Sequence, residues 1–262
     1  MHPILFESDS FTLHSYGTLF LLAWLLGGVL FLREVRRRGW PVDQMLFVMV
    51  GCVVGGLVGS LLLTVLFFDW DQITAQWARF QFEGRTIVGG IAGGYIGVEV
   101  MKKLIGYPHS TGDAFAFAIP LAHGLGRLGC FLGGCCFGTP TDLPWAVRFP
   151  AQSLPYALQM ARSEIGPAAL TSLAVHPTQL YELIADLLIF FVIWRSRDLF
   201  EKRGMLFRLY LALYASYRFF SEFVRGDTLL AFAGIKPVQV LLLAAAVYYG
   251  VQVLRAERRR NP

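Results

Sequence analysis

Charge is what this sequence has least of: only 16% of its 262 residues are Asp, Glu, Lys or Arg. A soluble domain carries about 25%. With 55% of residues in the set AVILMFWYC and a mean hydropathy of +0.54, the shortfall excludes a soluble surface, and it excludes intrinsic disorder and a fibrous repeat. Cysteine is also scarce, at four, which excludes a disulfide-rich secreted scaffold. Those four, Cys52, Cys130, Cys135 and Cys136, include no CxxC pair and precede no paired histidines, so the spacing speaks against a structural zinc site. Cys52 sits in an apolar run and reads as a small packing residue. The first residues hold Glu7 and Asp9 but no Lys or Arg, so the positive start of a signal peptide is missing and the first apolar run is expected to stay in the membrane. No metal or nucleotide motif is present, and no cofactor is expected.

What remains is an all-α polytopic membrane protein. A helix needs roughly 20 apolar residues to cross the hydrocarbon core. The sequence supplies about seven such runs: Tyr16 to Leu32, Val42 to Phe68, Thr86 to Met101, Ala114 to Leu132, Gln179 to Trp194, Met205 to Phe223 and Val238 to Leu254. The segment 69–85 carries mixed charge with Trp70 and Trp77, as at a lipid–water interface. A polar, proline-bearing section, 133–177, separates the fourth and fifth runs. We read residues 1–262 as one integral membrane domain with this section on its outer face.

Lys and Arg exceed Asp and Glu, 23 to 18, and a soluble protein of pI 9.1 would suggest nucleic acid. Here the basic residues cluster between apolar runs: Arg33 and Arg36 to Arg38; Lys102 and Lys103; Arg195, Arg197, Lys202 and Arg203; Arg255 and Arg258 to Arg260. Every second connection carries one, which is the positive-inside pattern. It predicts an outer N-terminus, a cytoplasmic C-terminus and membrane lipids, with no nucleic acid as partner.

Two glycine ladders, Gly51, Gly55, Gly59 and Gly89, Gly93, Gly97, each lie on one helix face and are expected to pack backbones closely. Against this apolar background, ionisable groups at membrane depth are candidates for function. Arg127 follows His123 by four residues. Tyr210, Tyr214, Arg218, Glu222 and Arg225 share one face of the sixth run. In His176-Pro177-Thr178-Gln179-Leu180-Tyr181-Glu182, Thr178 is placed to cap the fifth run and Glu182 to lie one turn inside it. On the predicted topology all three groups converge on the outer half of the membrane. Arginines beside carboxylates and tyrosines suit an anionic headgroup, because guanidinium matches phosphate geometry. The plainer possibility is that Arg218, Glu222 and Arg225 only lock the bundle. Structural roles are expected elsewhere. Glu99 and Lys103 read as a helix-end pair, and Ser110 to Asp113 as a capping box. Asp186 reads as support for Glu182, and His14 and His109 as interfacial.

At these residues the chain resembles the bacterial prolipoprotein diacylglyceryl transferase family. The resemblance rests on Gly126-Arg127-Leu128-Gly129-Cys130-Phe131 with Gly138 downstream, on the His176 to Glu182 segment, and on Tyr214-x3-Arg218-x3-Glu222-x2-Arg225. Ser15-Tyr16-Gly17 and Pro144-Trp145-Ala146-Val147 also fit. It implies transfer of the diacylglyceryl group of phosphatidylglycerol to the lipobox cysteine thiol of a preprolipoprotein, with release of glycerol phosphate. Arg127 and Arg218 would then hold the phosphate, and Glu222 and Arg225 would hold them or help move a proton. Tyr16, Cys130, Gly138, Tyr181, Glu182 and Tyr214 would surround the substrate. The chain departs from the family at Val88, where a His is usual, and at Cys130, Gly133 and Cys135, where the family has Asn, Asn and Glu. His123 or His176 would replace the missing base. Alternatives of other kinds are a related transferase with another acceptor, a non-catalytic phospholipid-binding protein and a small-anion transporter.

Overall fold

The computed structural model describes residues 3–8, 11–67, 87–226 and 235–258. A short antiparallel hairpin of β1 (Ile4–Ser8) and β2 (Phe11–His14) pairs Ile4 with His14 and Ser8 with Phe11. It is the one ladder in an otherwise helical set of described residues, and it leads into α1 (Ser15–Arg37). The helices α2 (Val42–Phe67), α3 (Ile87–Leu104), α4 (Gly112–Gly133), α5 (Leu154–Ala161), α6 (Thr178–Ser196), α7 (Met205–Ser221) and α8 (Pro237–Arg258) follow, with a 3₁₀ turn at Glu222–Val224.

Each of the seven apolar runs overlaps a helix, with Phe68 and Thr86 outside the described residues. Four of the helices are long and apolar enough to cross a membrane by length and composition: α1, α2, α4 and α8. Of the other three, α3 carries Glu99, Lys102 and Lys103 and α6 carries Glu182, Asp186 and Arg195, while α7 is shorter, at 17 residues. The expected interface segment 69–85 lies outside the described residues.

Exposure is inverted relative to a soluble fold. Glu182 and Asp186 are buried, whereas Ile91, Leu188, Leu241 and Leu254 are exposed. Apolar side chains facing outward need no shielding in hydrocarbon, while charged ones must be paired inside.

The chain divides into two compact units, Leu32–Ser110 and Met1–Phe31 with Thr111–Pro262. In the first, α2 and α3 meet along the two glycine ladders. A Cβ on Gly51 would stand 2.6 Å from the Gly97 carbonyl oxygen, and one on Gly55 or Gly59 would fall on the carbonyl of Gly93 or Gly89. The Arg36 to Arg38 cluster lies at the end of α1, where buried Glu34 takes Arg37 at 2.8 Å and Arg38 at 2.7 Å. Glu99 pairs with Lys102 at 2.9 Å, one residue before the partner expected from its i,i+4 spacing.

In the second unit, α4, α6 and α7 bury Phe117, Ile189, Ile193, Leu206 and Tyr210 together. The 133–177 section is built rather than slack. Backbone bridges join Val147 and Pro140 to Val175 and Pro150 to Thr171, over a small core of Phe137, Phe149 and Val175. The helix α5 lies within it. The predicted capping box at Ser110 to Asp113 is not formed: Thr111 makes no side-chain cap bond. The Asp113 carboxylate instead accepts the Gly204 N–H at 2.8 Å and the Phe207 N–H at 3.2 Å, so it caps α7 from across the bundle.

Candidate functional site

His123, Arg127 and Cys130 recur at four and three residues on α4, and Gln179, Glu182 and Asp186 do so on α6, so each set shares one helix face. The small Gly124 lets these faces approach, because its hydrogen points at Asp186 Cβ and the Leu183 side chain. The result is a buried network at the centre of the second unit. Arg127 straddles the Glu182 carboxylate, with Nη2 3.1 Å from Oε1 and Nε 3.0 Å from Oε2. The Tyr214 hydroxyl donates to the same Oε1 at 2.9 Å. His123 turns Nδ1 toward Asp186 at 2.8 Å and Nε2 toward Glu182 at 3.9 Å, its ring edge-on to Tyr214. Arg127 is 6% exposed, Glu182 2% and Asp186 0%, so these charges have little water to satisfy them.

A second centre forms where α7 ends. Arg218 reaches Glu222 at 2.9 Å, the i,i+4 pair expected from the spacing. Lys236, from the turn before α8, adds Nζ to Glu222 Oε1 at 3.4 Å and to the carbonyl oxygens of Glu222 and Arg225 at 2.7 and 3.3 Å. Sequence reasoning passed over Lys236. Its signal was a lone lysine just before the last apolar run, apart from the basic clusters. Arg127 and Arg218 both lie within electrostatic reach of Tyr214.

A third group frames these two. Tyr181 receives the Trp145 indole N–H at 2.7 Å and stands 3.2 Å from His176 Nδ1. Gly138 forms a backbone bridge with Arg225 and donates its N–H to the His176 carbonyl at 3.0 Å. A Cβ there would stand 2.5 Å from His176 Cβ, so glycine is what lets these segments meet. A cleft of about 230 Å³ opens beside them, lined by Gly138, Gln159, Arg162, Glu164 and Arg225.

Thr178 does not cap α6 as expected. Its hydroxyl donates to the Cys136 carbonyl at 2.6 Å, and Gln179 Nε2 donates to the Cys135 carbonyl at 2.6 Å. Tyr16, half-exposed at the start of α1, packs against Gly129 and shares a neighbourhood with Cys130, Cys135, Cys136 and Arg127. Cys136 lies in the turn after α4. Hydrogen bonding from Cys130 and Cys135 holds its thiol below the ordinary range, and Arg127 and Arg225 add to that effect.

Every sequence-predicted site residue thus falls in this unit, in groups that share neighbours. Val88, the position where the family's usual His is absent, opens α3 in the other unit.

Comparison with known proteins agrees with the motifs. A model of the prolipoprotein diacylglyceryl transferase family matches residues 3–254. The chain is 33% identical over 242 residues to a phosphatidylglycerol–prolipoprotein diacylglyceryl transferase of Clostridium tetani, covering 87% of this chain and 86% of that one. It is 32% identical over 282 residues to the protein of that name from Xanthomonas oryzae, covering 98% and 91%. For the Thermotoga maritima protein the identity is 29% over 263 residues, covering 97% and 85%.

Proposed function

The chain belongs to the prolipoprotein diacylglyceryl transferase family, a family of integral bacterial membrane enzymes, and from that premise we propose that it moves the diacylglyceryl group of phosphatidylglycerol onto the lipobox cysteine thiol of preprolipoproteins. The sulfur attacks the glyceryl carbon, the carbon–oxygen bond to phosphate breaks, and glycerol phosphate departs with the electron pair.

The observation that carries this reading is the buried Arg127–Glu182–Tyr214 network with Arg218 beside it. A phosphodiester gains charge on its leaving oxygen as the bond to carbon breaks. Fixed guanidinium groups in a water-poor site stabilise that charge without reorganising. Glu182 holds Arg127 in one orientation, and Glu222 does the same for Arg218. Lys236 anchors Glu222 in turn, and Arg225 closes the site beside Gly138. Tyr16, Tyr181 and Tyr214 line the headgroup. A thiolate is the nucleophile, so a base must take the thiol proton. His123 suits that role because Asp186 fixes its ring, as in acid–base pairs generally. His176, against Tyr181, is the second candidate. With the basic clusters in the cytoplasm, the N-terminus lies outside, the C-terminus inside and the site toward the outer leaflet of the inner membrane.

The test is rescue of a strain depleted of its own transferase. Growth, with a diacylglyceryl mass gain on a reporter lipoprotein, is the expected outcome, lost in Arg218→Ala. Val88 favours one second reading, the same lipid donor with a different acceptor. Turnover of phosphatidylglycerol without modification of the reporter would select it.

A further inference from the structure

Three thiols remain without a task in that mechanism. Helix α4 ends at Gly133, and Gly134 follows with φ 75°, in the left-handed region that glycine enters without cost. The chain turns back there, so that the Cys135 N–H returns to the Cys130 carbonyl at 3.1 Å. Cys136 follows with φ 60°. The turn gathers the Sγ atoms of Cys130, Cys135 and Cys136 within 4.8 Å of one another, all as free thiols. Zinc–sulfur bonds of about 2.3 Å in a tetrahedron set sulfurs about 3.8 Å apart, so small side-chain adjustments close the set around one ion. The linear spacing gave no hint of this, because it lacks the CxxC of structural sites.

The surroundings suit such an ion. Three soft sulfur ligands select a zinc-like cation over magnesium or calcium. A dication with three thiolates carries one net negative charge, and Arg127 and Arg225 lie within electrostatic reach of Cys136 to balance it. The backbone of the ligands is pinned by Thr178 and Gln179, which leaves the sulfurs little freedom to drift. Three protein ligands with one position open is the arrangement of catalytic rather than structural zinc.

We propose that Cys130, Cys135 and Cys136 form a tris-thiolate site for a zinc-class divalent cation, whose fourth position receives the thiol of the acceptor cysteine. The metal site stands on the thiol geometry, and the role for its fourth position rests on the transferase reading above. The acceptor thiol binds as thiolate and sheds its proton to the site's base, His123 or His176. The sulfur forms its bond to the glyceryl carbon, the carbon–oxygen bond breaks toward phosphate, and the proton leaves with glycerol phosphate. Coordination thus lowers the demand on a histidine base, in a chain with Val88 where its family has one.

The test uses the full chain in detergent. Mass spectrometry of metals, after dialysis against Zn²⁺ and then buffer, should give one zinc per chain. Cys130→Ser and Cys136→Ser should lose at least tenfold of it, and Cys52→Ser none. Should a serine variant fold poorly, chelator-treated wild type makes the same comparison: three fast-alkylating thiols that added Zn²⁺ protects. With Co²⁺ in place of zinc, a lipobox peptide should shift the thiolate-to-cobalt absorption, and its Cys→Ser analogue should not. A disulfide among the three cysteines, or zinc unaffected by their replacement, would overturn the site. A cobalt spectrum indifferent to the peptide thiol would overturn the role of the fourth position. Failed rescue with metal retained and the peptide shift present would remove the transferase reading and leave the site standing.

Discussion

The glycine-laddered pair α2 and α3 and the polar bundle of α4, α6 and α7 solve one problem by opposite means. Within a bilayer the hydrophobic effect does not draw helices together, so they associate through close backbones or polar contacts. The first pair removes side chains until a carbonyl of one helix fills the space where the other would carry a Cβ. The second sets Arg127, His123, Glu182, Asp186 and Tyr214 against each other through ion pairs and hydrogen bonds centred on Glu182. The candidate site residues all belong to the second unit. Damage should differ accordingly: steric in one region, electrostatic in the other.

The steric side should break hardest. Gly93→Leu sets a branched side chain against the Gly55 carbonyl and the Gly59 Cα, where neither backbone can yield. Its cost should exceed the ~1–3 kcal/mol of ordinary overpacking. The expected result is loss of folded protein from the membrane, seen as an absent thermal transition in detergent; a normal transition would refute the close packing. Arg127→Ala should come next, because it leaves Glu182 buried without its cation. Removing one partner of a buried pair costs about 3–5 kcal/mol, and lipidation should vanish with it. Arg127→Lys sharpens the point: it restores charge but not the two-pronged grip, so stability should partly return while activity does not. If activity returned with Lys, the paired geometry would not matter. Asp186→Asn is smaller again. It leaves the bundle intact but frees the His123 ring, and turnover should fall about 100-fold, at the lower end of a general base's contribution. An unchanged rate would pass the base to His176.

The two regions were unequally legible in the sequence. The ladders were visible because spacing of four is a local signal, and so was Arg218 with Glu222 for the same reason. The Arg127–Glu182 pair spans 55 residues, and no local period announces it. Charge at membrane depth flagged both residues as needing a partner, without naming one. Local signals also misled. Thr178 had the form of a helix cap, and the fold spends its hydroxyl on the Cys136 carbonyl. The nearness of the Cys130, Cys135 and Cys136 sulfurs was not legible either, because a turn at Gly134 that gathers thiols leaves no mark in the linear pattern. Lys236 was hidden by its isolation.

Asp113 tests whether buried charge in the second unit always means chemistry. It is 2% exposed and charged, like Glu182, and sits on the same helix as Arg127. Yet both of its oxygens face backbone N–H groups at the start of α7, where a helix offers unpaired donors and the positive end of its dipole. Its work there is structural. Asp113→Ala should cost about 0.5–2 kcal/mol, the range for a lost cap. A fall of several degrees in the detergent melting temperature, with lipidation unchanged at permissive temperature, is the expected result. Loss of turnover in a fully folded Asp113→Ala protein would show that α7 must be held at its start for Tyr214 and Arg218 to meet the site, and the boundary between packing and chemistry would then run through α7 itself.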